Sequence, residues 1–102
     1  GIKETCRRIK EQVGDAKVFI TFDIDFLDPA YAPGTGTPMP GGFSTYEACE
    51  IIRNGLAGLD IVGFDLVEVM ENYDPAGITA INAVAILKQF VILLSKKKAE
   101  QE

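Results

Sequence analysis

One stretch, residues 18–42, restricts the possible folds of this chain more than any other part, because a hydrophobic strand runs directly into a loop rich in Asp, Pro and Gly. The stretch begins VFITFDID, whose residues are mostly β-branched, aromatic or apolar and favour a strand. Asp28-Pro29 then ends the strand, because the residue before a proline is restricted in its backbone conformation and Asp favours turns. We predict a strand over residues 17–25 and a loop over residues 26–43.

Two carboxylates lie near the end of this predicted strand. Side chains alternate between the two faces of a strand, so Asp23 and Asp25 are predicted to point to the same side. Such a pair can bind a hard divalent cation or bridge two, and oxygen ligands suit Mg²⁺, Mn²⁺ or Ca²⁺ better than Zn²⁺ or Cu²⁺. The alternative is that both are turn or cap residues, as acidic residues after strands often are. The apolar neighbours Phe22 and Ile24 favour the cation, since adjacent buried acids repel each other.

A second strand is predicted over residues 61–69, IVGFDLVEV, and its nearly continuous apolar pattern is typical of a parallel strand that is covered on both faces. The connecting segment contains a predicted helix over residues 44–57, which begins with a capping box formed by Ser44 and Glu47. A strand–helix–strand unit brings the C-terminal ends of its two strands to one edge of the sheet, where open α/β sheets bind ligands. Glu68 is therefore expected to face the same crevice as the two aspartates. Asp65, deeper in the strand, is expected to be a buried acid held by hydrogen bonds.

Two further helices complete an α/β fold with a parallel sheet and flanking helices, in one domain over residues 1–102. The first, residues 2–13, is amphipathic. The last, residues 79–97, is expected to be capped by Thr79 and is apolar on almost all sides, which predicts burial on more than one side. Contact with another subunit or packing against missing chain would explain this, and we expect a homo-oligomer for the full-length protein. We expect no membrane span, since Lys88 and Gln89 interrupt an apolar run that is short for a bilayer.

The charge and cysteine content exclude some partners and compartments. A net charge of −5 and a pI near 4.7 argue against nucleic acid as a partner and are compatible with a cationic substrate. Cys6 and Cys49 are isolated from each other and lie in predicted helices. They are interpreted as reduced packing residues, which predicts a cytoplasmic protein.

Two motifs resemble those of the ureohydrolase family, which contains arginases and agmatinases. The first runs from Thr21 to Gly42, TFDIDFLDPAYAPGTGTPMPGG, and fits the family pattern [ST]-x-D-x-D-x-x-D-P followed by P-G-T-G-T-P-x-x-G-G. The second is Gly63 to Val69, GFDLVEV, which fits G-[FL]-D-[LIV]-[VM]-E-V. The AYAPGTGTP form is more similar to agmatinases than to arginases. The chain departs from the family in residues 70–72, MEN, where a proline-containing turn is usual, and this departure bears on loop shape and substrate preference.

This resemblance implies a fold, a cofactor and a reaction. The chain would be the C-terminal part of the three-layer arginase-like fold, in an enzyme with two Mn²⁺ ions that activate a water molecule. Asp23 would bridge the two ions and Asp25 would be a terminal ligand. Glu68 would orient the guanidinium of a small cationic guanidino substrate, to which a carboxylate can form two parallel hydrogen bonds. The implied reaction of an agmatinase is hydrolysis of agmatine to urea and putrescine.

The same resemblance implies that this chain is a C-terminal fragment. Family members are about three times as long, more than one small domain. They take further metal ligands, His and Asp, from upstream segments, whereas this chain contains no histidine. The isolated chain is therefore expected to be inactive. The alternative hypothesis is a non-catalytic α/β module that acts through assembly or through weak, carboxylate-only cation binding, and it predicts a complete gene of this size.

Overall fold

The computed structural model describes residues 1–101, and these form an α/β fold in which helices flank a parallel sheet. This confirms the predicted fold class. The helices and strands follow each other in the order α1 (Ile2–Val13), β1 (Lys17–Asp23), α2 (Thr45–Glu50), β2 (Asp60–Val67) and α3 (Ile78–Gln101).

The two strands pair in parallel, with Lys17 opposite Asp60 at one end and Asp23 opposite Val67 at the other. Both strands therefore finish at the same edge of the sheet. The long loop after β1 and the turn after β2 leave from this edge, so their side chains can meet.

One face of the sheet packs against α3. Phe90 of this helix is buried, and its ring lies 4.9 Å from that of Phe64 in β2 and 6.3 Å from that of Phe22 in β1. On the opposite face Phe19 is 61% exposed and Val62 is 56% exposed. Within residues 1–101 the sheet is thus covered on one face, whereas the apolar pattern of β2 predicted cover on both.

Both strands are shorter than predicted at their C-terminal ends. The predicted strand over residues 17–25 ends at Asp23, because residues Ile24–Phe26 form a 3₁₀ turn that is closed by a hydrogen bond from the Leu27 N–H to the Ile24 carbonyl. The predicted strand over residues 61–69 begins at Asp60 and ends at Val67. Asp25 and Glu68 therefore lie just after the strands, whereas Asp23 is the last residue of β1.

The predicted helix over residues 44–57 is an α-helix only as far as Glu50, and residues Ile51–Gly55 form a π-helical turn. Its capping box is confirmed: the Glu47 N–H donates to the Ser44 hydroxyl oxygen, and the Ser44 N–H donates to the Glu47 carboxylate. Beside the π turn, Gly55 lies so close to Cys6 of α1 that a Cβ there would be 2.7 Å from the Cys6 sulfur.

Helix α3 extends over Ile78–Gln101, longer than the predicted residues 79–97. The helical segment Pro75–Gln101 is long and apolar enough to cross a membrane, a property that core helices of soluble proteins share. The expectation that this apolar run is too short to cross a bilayer is therefore wrong. The expected absence of a membrane partner stays a prediction.

Candidate metal and substrate site

Asp23 and Asp25 lie together at the end of β1, but not because of strand alternation. Asp23 is the last residue of the strand, and Asp25 belongs to the 3₁₀ turn that follows it. The Asp23 carboxylate accepts a hydrogen bond from the Asp25 N–H at 3.0 Å. This contact between an aspartate and the backbone two residues ahead favours a turn over a continued strand. The two side chains remain neighbours, and their predicted metal role rests on this turn.

Glu68 follows the last residue of β2 and has a left-handed backbone conformation, with φ +73°. Few residues other than glycine adopt this conformation, because it brings Cβ too close to the backbone. Two residues later the Met70 N–H donates a hydrogen bond to the Gly34 carbonyl at 2.7 Å. The turn that contains Glu68 is thereby attached to the loop that follows β1.

Asp25 and Glu68 both act on Asp23. Burial raises the pKa of Asp23 and outweighs the hydrogen bond from the Asp25 N–H, while the carboxylate of Asp25 and the negative charge of Glu68 raise it further. The structure therefore brings the sequence-predicted residues Asp23, Asp25 and Glu68 into one electrostatic cluster. A bound cation would relieve the repulsion within such a cluster.

Two threonines of the loop were not predicted as site residues. The Thr37 hydroxyl donates to the Asp25 carboxylate at 3.0 Å. Thr35 is only 3% exposed, and its hydroxyl has no hydrogen-bond partner in the described part of the chain. The only sequence signal for the roles of these two threonines is the threonine content of the GTGTP motif itself.

Asp28 closes the loop on itself. Its carboxylate accepts the N–H of Ala30 at 2.9 Å and the N–H of Gly41 at 2.9 Å. These backbone hydrogen bonds lower the pKa of Asp28. Leu27 and Phe43 form a parallel bridge next to this contact. The two ends of the loop are thus held together, which fixes the position from which Thr37 reaches Asp25.

Asn82 of α3 attaches the loop to the helices. Its side-chain amide donates to the Tyr31 carbonyl at 2.5 Å, and its amide oxygen accepts from the Thr45 hydroxyl at 2.9 Å. One side chain thereby connects α3, the first residue of α2 and the first part of the loop.

The N-terminus of α3 is capped by Asp74, and not by Thr79 as the sequence suggested. The Asp74 carboxylate accepts the N–H of Thr79 at 2.7 Å and the N–H of Ala80 at 3.0 Å. Burial opposes ionisation of Asp74, but these hydrogen bonds, together with the Thr79 hydroxyl, outweigh it and lower the pKa. The Thr79 hydroxyl oxygen accepts the N–H of Gly34 at 2.7 Å.

Asp65 is half-buried and accepts a hydrogen bond from the Thr21 hydroxyl at 2.5 Å, so the prediction of a hydrogen-bonded acid is correct while its burial is incomplete. Thr21 is also its partner in the strand register. Both atoms of this contact are therefore used within the sheet, and Asp65 has a structural role.

The cluster fits part of a manganese site. Its donors are carboxylate oxygens, which Mn²⁺ accepts, and the repulsion at Asp23 favours a bound cation. Within residues 1–101, however, no group of three or more His, Cys, Asp or Glu side chains is arranged to hold a metal ion. The chain also has no histidine. Asp23 and Asp25 can therefore contribute ligands, but a complete binuclear site needs donors that this sequence does not contain.

Comparison with known proteins shows which family the chain resembles. An agmatinase of Chromobacterium violaceum is 53% identical over 98 residues, which are 96% of this chain and 30% of that protein. The crystal structure of a hypothetical agmatinase from Burkholderia thailandensis superposes with a TM-score of 0.92 at 46% identity, covering 98% of this chain and 32% of that one. Proclavaminate amidino hydrolase from Streptomyces clavuligerus superposes with a TM-score of 0.83 at 45% identity, covering 87% of this chain and 30% of that one.

The chain spans about 30% of the length of the curated relatives it matches. The match to the Arginase family extends over residues 1–93 and so includes both strand ends and the loop between them. The chain therefore belongs to the arginase family.

Proposed function

We propose that the protein carrying this sequence is a binuclear manganese ureohydrolase that hydrolyses agmatine to urea and putrescine. The observation that supports this most strongly is the cluster of Asp23, Asp25 and Glu68, which joins two candidate metal ligands and one candidate guanidinium acceptor at a single edge of the sheet. Such an edge is where α/β folds bind their ligands.

Each residue of the cluster has a separate role in this proposal. Asp23 would bridge the two ions, and Asp25, oriented by the Thr37 hydroxyl, would be a terminal ligand. When bound, Mn²⁺ lowers the pKa of a coordinated water so that it is a nucleophile at neutral pH. Glu68 would accept two parallel hydrogen bonds from the planar guanidinium and hold its carbon in place for attack.

The similarities support agmatine as the first substrate to test. Two of the matched proteins carry the name agmatinase, at 53% and 46% identity. The third matched protein, which is 45% identical, is named proclavaminate amidino hydrolase and not agmatinase. Because similar chains thus carry different enzyme names, agmatine should be compared with arginine and with a guanidino acid such as guanidinobutyrate.

The 102-residue chain by itself is expected to be inactive, since it contains no histidine and only part of the ligand set. The missing donors would come from further sequence, as the length of the relatives suggests. A homo-oligomeric state and a cytoplasmic location stay predictions from the sequence.

Urea release tests this function in the protein that carries this sequence, at its natural length and loaded with Mn²⁺. We expect agmatine to be hydrolysed faster than arginine or guanidinobutyrate. Glu68→Gln should lower kcat/KM by about a hundredfold, because one charged hydrogen-bond acceptor for the guanidinium is lost. The control is Asp15→Asn, an exposed acid in the turn before β1 and therefore at the opposite edge of the sheet, which should change kcat/KM by less than about twofold.

Three outcomes would contradict the proposal. Absence of urea with all three substrates would favour the non-catalytic alternative. Equal effects of Glu68→Gln and Asp15→Asn would leave the hydrolase without the substrate contact proposed for Glu68. A clear preference for arginine or guanidinobutyrate would replace the proposed substrate.

A further inference from the structure

Gly34 connects the N-terminus of α3 to the turn that contains Glu68. Its N–H donates to the Thr79 hydroxyl oxygen at 2.7 Å, and its carbonyl accepts the N–H of Met70 at 2.7 Å. Gly34 therefore uses both of its backbone polar groups, the N–H towards the helix and the carbonyl towards the turn. We expect a change in the position of the helix end at Thr79 to move Gly34 and, through it, Met70.

Thr79 is well suited to fix this connection. It is fully buried at 0% exposure, and its own N–H is held by the Asp74 carboxylate at 2.7 Å. A Cβ on Gly34 would lie 2.7 Å from the Asp74 Cβ and 2.9 Å from the Thr79 hydroxyl oxygen, so the loop and the helix end touch without space between them. The hydroxyl is therefore held in one place and offers its oxygen only to Gly34.

The conformation of Glu68 needs such support. A non-glycine residue at φ +73° is strained, and strained residues persist only where the surrounding contacts determine the backbone. Glu68 is exposed, so side-chain packing does not provide this constraint. On the N-terminal side of Glu68, β2 ends with Val67 paired to Asp23, and on its C-terminal side the hydrogen bond from the Met70 N–H to the Gly34 carbonyl ties the turn to the loop.

We propose that Thr79 is a positioning residue for Glu68, and that its hydroxyl acts through Gly34 and Met70 to hold the Glu68 carboxylate where it meets the substrate. This inference rests on the proposed function insofar as it assigns the guanidinium to Glu68. Capping of α3 is a different role, because the backbone N–H groups of Thr79 and Ala80 form the cap on the Asp74 carboxylate. The Thr79 hydroxyl adds one hydrogen bond to this carboxylate through its proton, whereas the proposed connection uses its oxygen as acceptor for Gly34.

The test compares Thr79→Val with Thr79→Ser in the protein that carries this sequence, at its natural length. Valine keeps the shape of threonine and loses the acceptor, whereas serine keeps the acceptor and loses a methyl group. In Thr79→Val we expect faster amide hydrogen exchange at Gly34 and Met70, and about a tenfold rise in KM for agmatine because a less firmly held Glu68 loses about one hydrogen bond's worth of affinity for the guanidinium. In Thr79→Ser both should stay within about twofold of the natural protein.

Two further readouts separate positioning from loss of structure. Mn²⁺ affinity, measured by titration calorimetry, should be the same in both variants, because Thr37, the loop residue that contacts Asp25, is held by the loop closure at Asp28 and not by Thr79. The double variant Thr79→Val with Glu68→Gln should be no worse than Glu68→Gln alone, as expected for two residues that act as a unit. If Thr79→Val fails to fold, Thr79→Cys places a weak acceptor in the same space and should raise KM in the same direction.

The proposal is overturned if exchange at Met70 is unchanged in Thr79→Val, if the valine and serine variants lose affinity equally, or if Mn²⁺ binding falls in parallel with KM. Failure of the proposed function gives a different result. In that case the natural protein releases no urea, yet exchange at Gly34 and Met70 still shows whether the Thr79 hydroxyl holds the turn.

Discussion

The Thr37 hydroxyl donates a hydrogen bond to the Asp25 carboxylate at 3.0 Å, from a position twelve residues further along the chain. The contact is possible because Asp28 closes the intervening loop through the N–H groups of Ala30 and Gly41. Hydrogen bonds to a ligating carboxylate fix its orientation and strengthen metal binding. Thr37 is thus the supporting residue of a candidate metal ligand.

Thr37→Val should weaken Mn²⁺ binding about tenfold, because Asp25 loses the donor that orients it. Thr37→Ser retains the hydroxyl and should bind Mn²⁺ within about twofold of the natural protein. Titration calorimetry on the protein that carries this sequence measures both. Equal affinity in the valine and serine variants would show that this hydrogen bond does not support the metal site.

Asp23→Asn should have opposite effects on stability without and with metal. Without metal at pH 7, the free energy of unfolding should rise by about 1 kcal/mol after solvent screening, because a charge that burial, Asp25 and Glu68 disfavour is removed. The pKa of Asp23 is raised in the fold, so its ionisation costs stability as the pH rises. The gain should therefore vanish below about pH 4, where Asp23 is protonated in both folded and unfolded states.

With Mn²⁺ the order should reverse, since ligand binding stabilises only a protein that retains the ligating residue. Denaturant unfolding with and without Mn²⁺ measures both effects. Asp15→Asn, an exposed acid in the turn before β1, is the matched control and should change neither. Undiminished stabilisation of Asp23→Asn by Mn²⁺ would exclude Asp23 as a ligand.

The proximity of Glu68 to Asp23 follows from the sequence, because two parallel strands joined by a helical crossover must end at the same edge. The same reasoning correctly gives the sheet and the helices around it. The backbone conformations of Asp25 and Glu68, in contrast, cannot be predicted from the order of the strands. Asp25 leaves the strand because the Asp23 carboxylate captures its N–H, a local competition that strand alternation does not include.

The contacts of Thr37 and Thr79 were beyond sequence reasoning for a different reason. They join residues twelve and 45 positions apart, and each depends on how the loop closes. Secondary-structure propensity and hydrophobic periodicity describe single helices and strands, and they do not predict how a loop closes on itself. Thr79 illustrates the consequence: its position suggested a helix cap, but Asp74 takes that role and leaves the hydroxyl oxygen to Gly34.

Gly34→Ala should destabilise the fold by about 2 kcal/mol, because the added methyl group overlaps the Asp74 Cβ at 2.7 Å and the Thr79 hydroxyl at 2.9 Å. Gly36→Ala is the matched control in the same motif. A Cβ at Gly36 has no atom within 4 Å, so the change should stay within about 0.5 kcal/mol. Chemical denaturation measures both, and similar values for the two variants would show that the loop does not contact α3 in solution.

Asp74→Ala should lower the melting temperature at pH 7, because α3 loses the carboxylate that accepts the N–H groups of Thr79 and Ala80. The pKa of Asp74 is lowered in the fold, so its contribution is present above its ordinary value near 3.9 and is lost as the pH falls through the folded value. The difference between natural and variant protein should therefore shrink below about pH 4. Asp74→Asn keeps a neutral cap, and its own stability should not share this pH dependence. A difference that is constant from pH 7 to pH 3 would contradict the assignment.

Glu68→Gly and Glu68→Ala should separate the carboxylate of Glu68 from its backbone strain. Both remove the proposed guanidinium acceptor, so both should lower kcat/KM for agmatine by a similar factor. Only glycine relieves the left-handed conformation at φ +73°, and Glu68→Gly should be more stable than Glu68→Ala by about 1 kcal/mol. Thermal unfolding and urea release, measured on the same samples, give the two quantities. Equal stability of the two variants would mean that Glu68 is not strained in solution, and the turn after β2 would then need no support from Gly34.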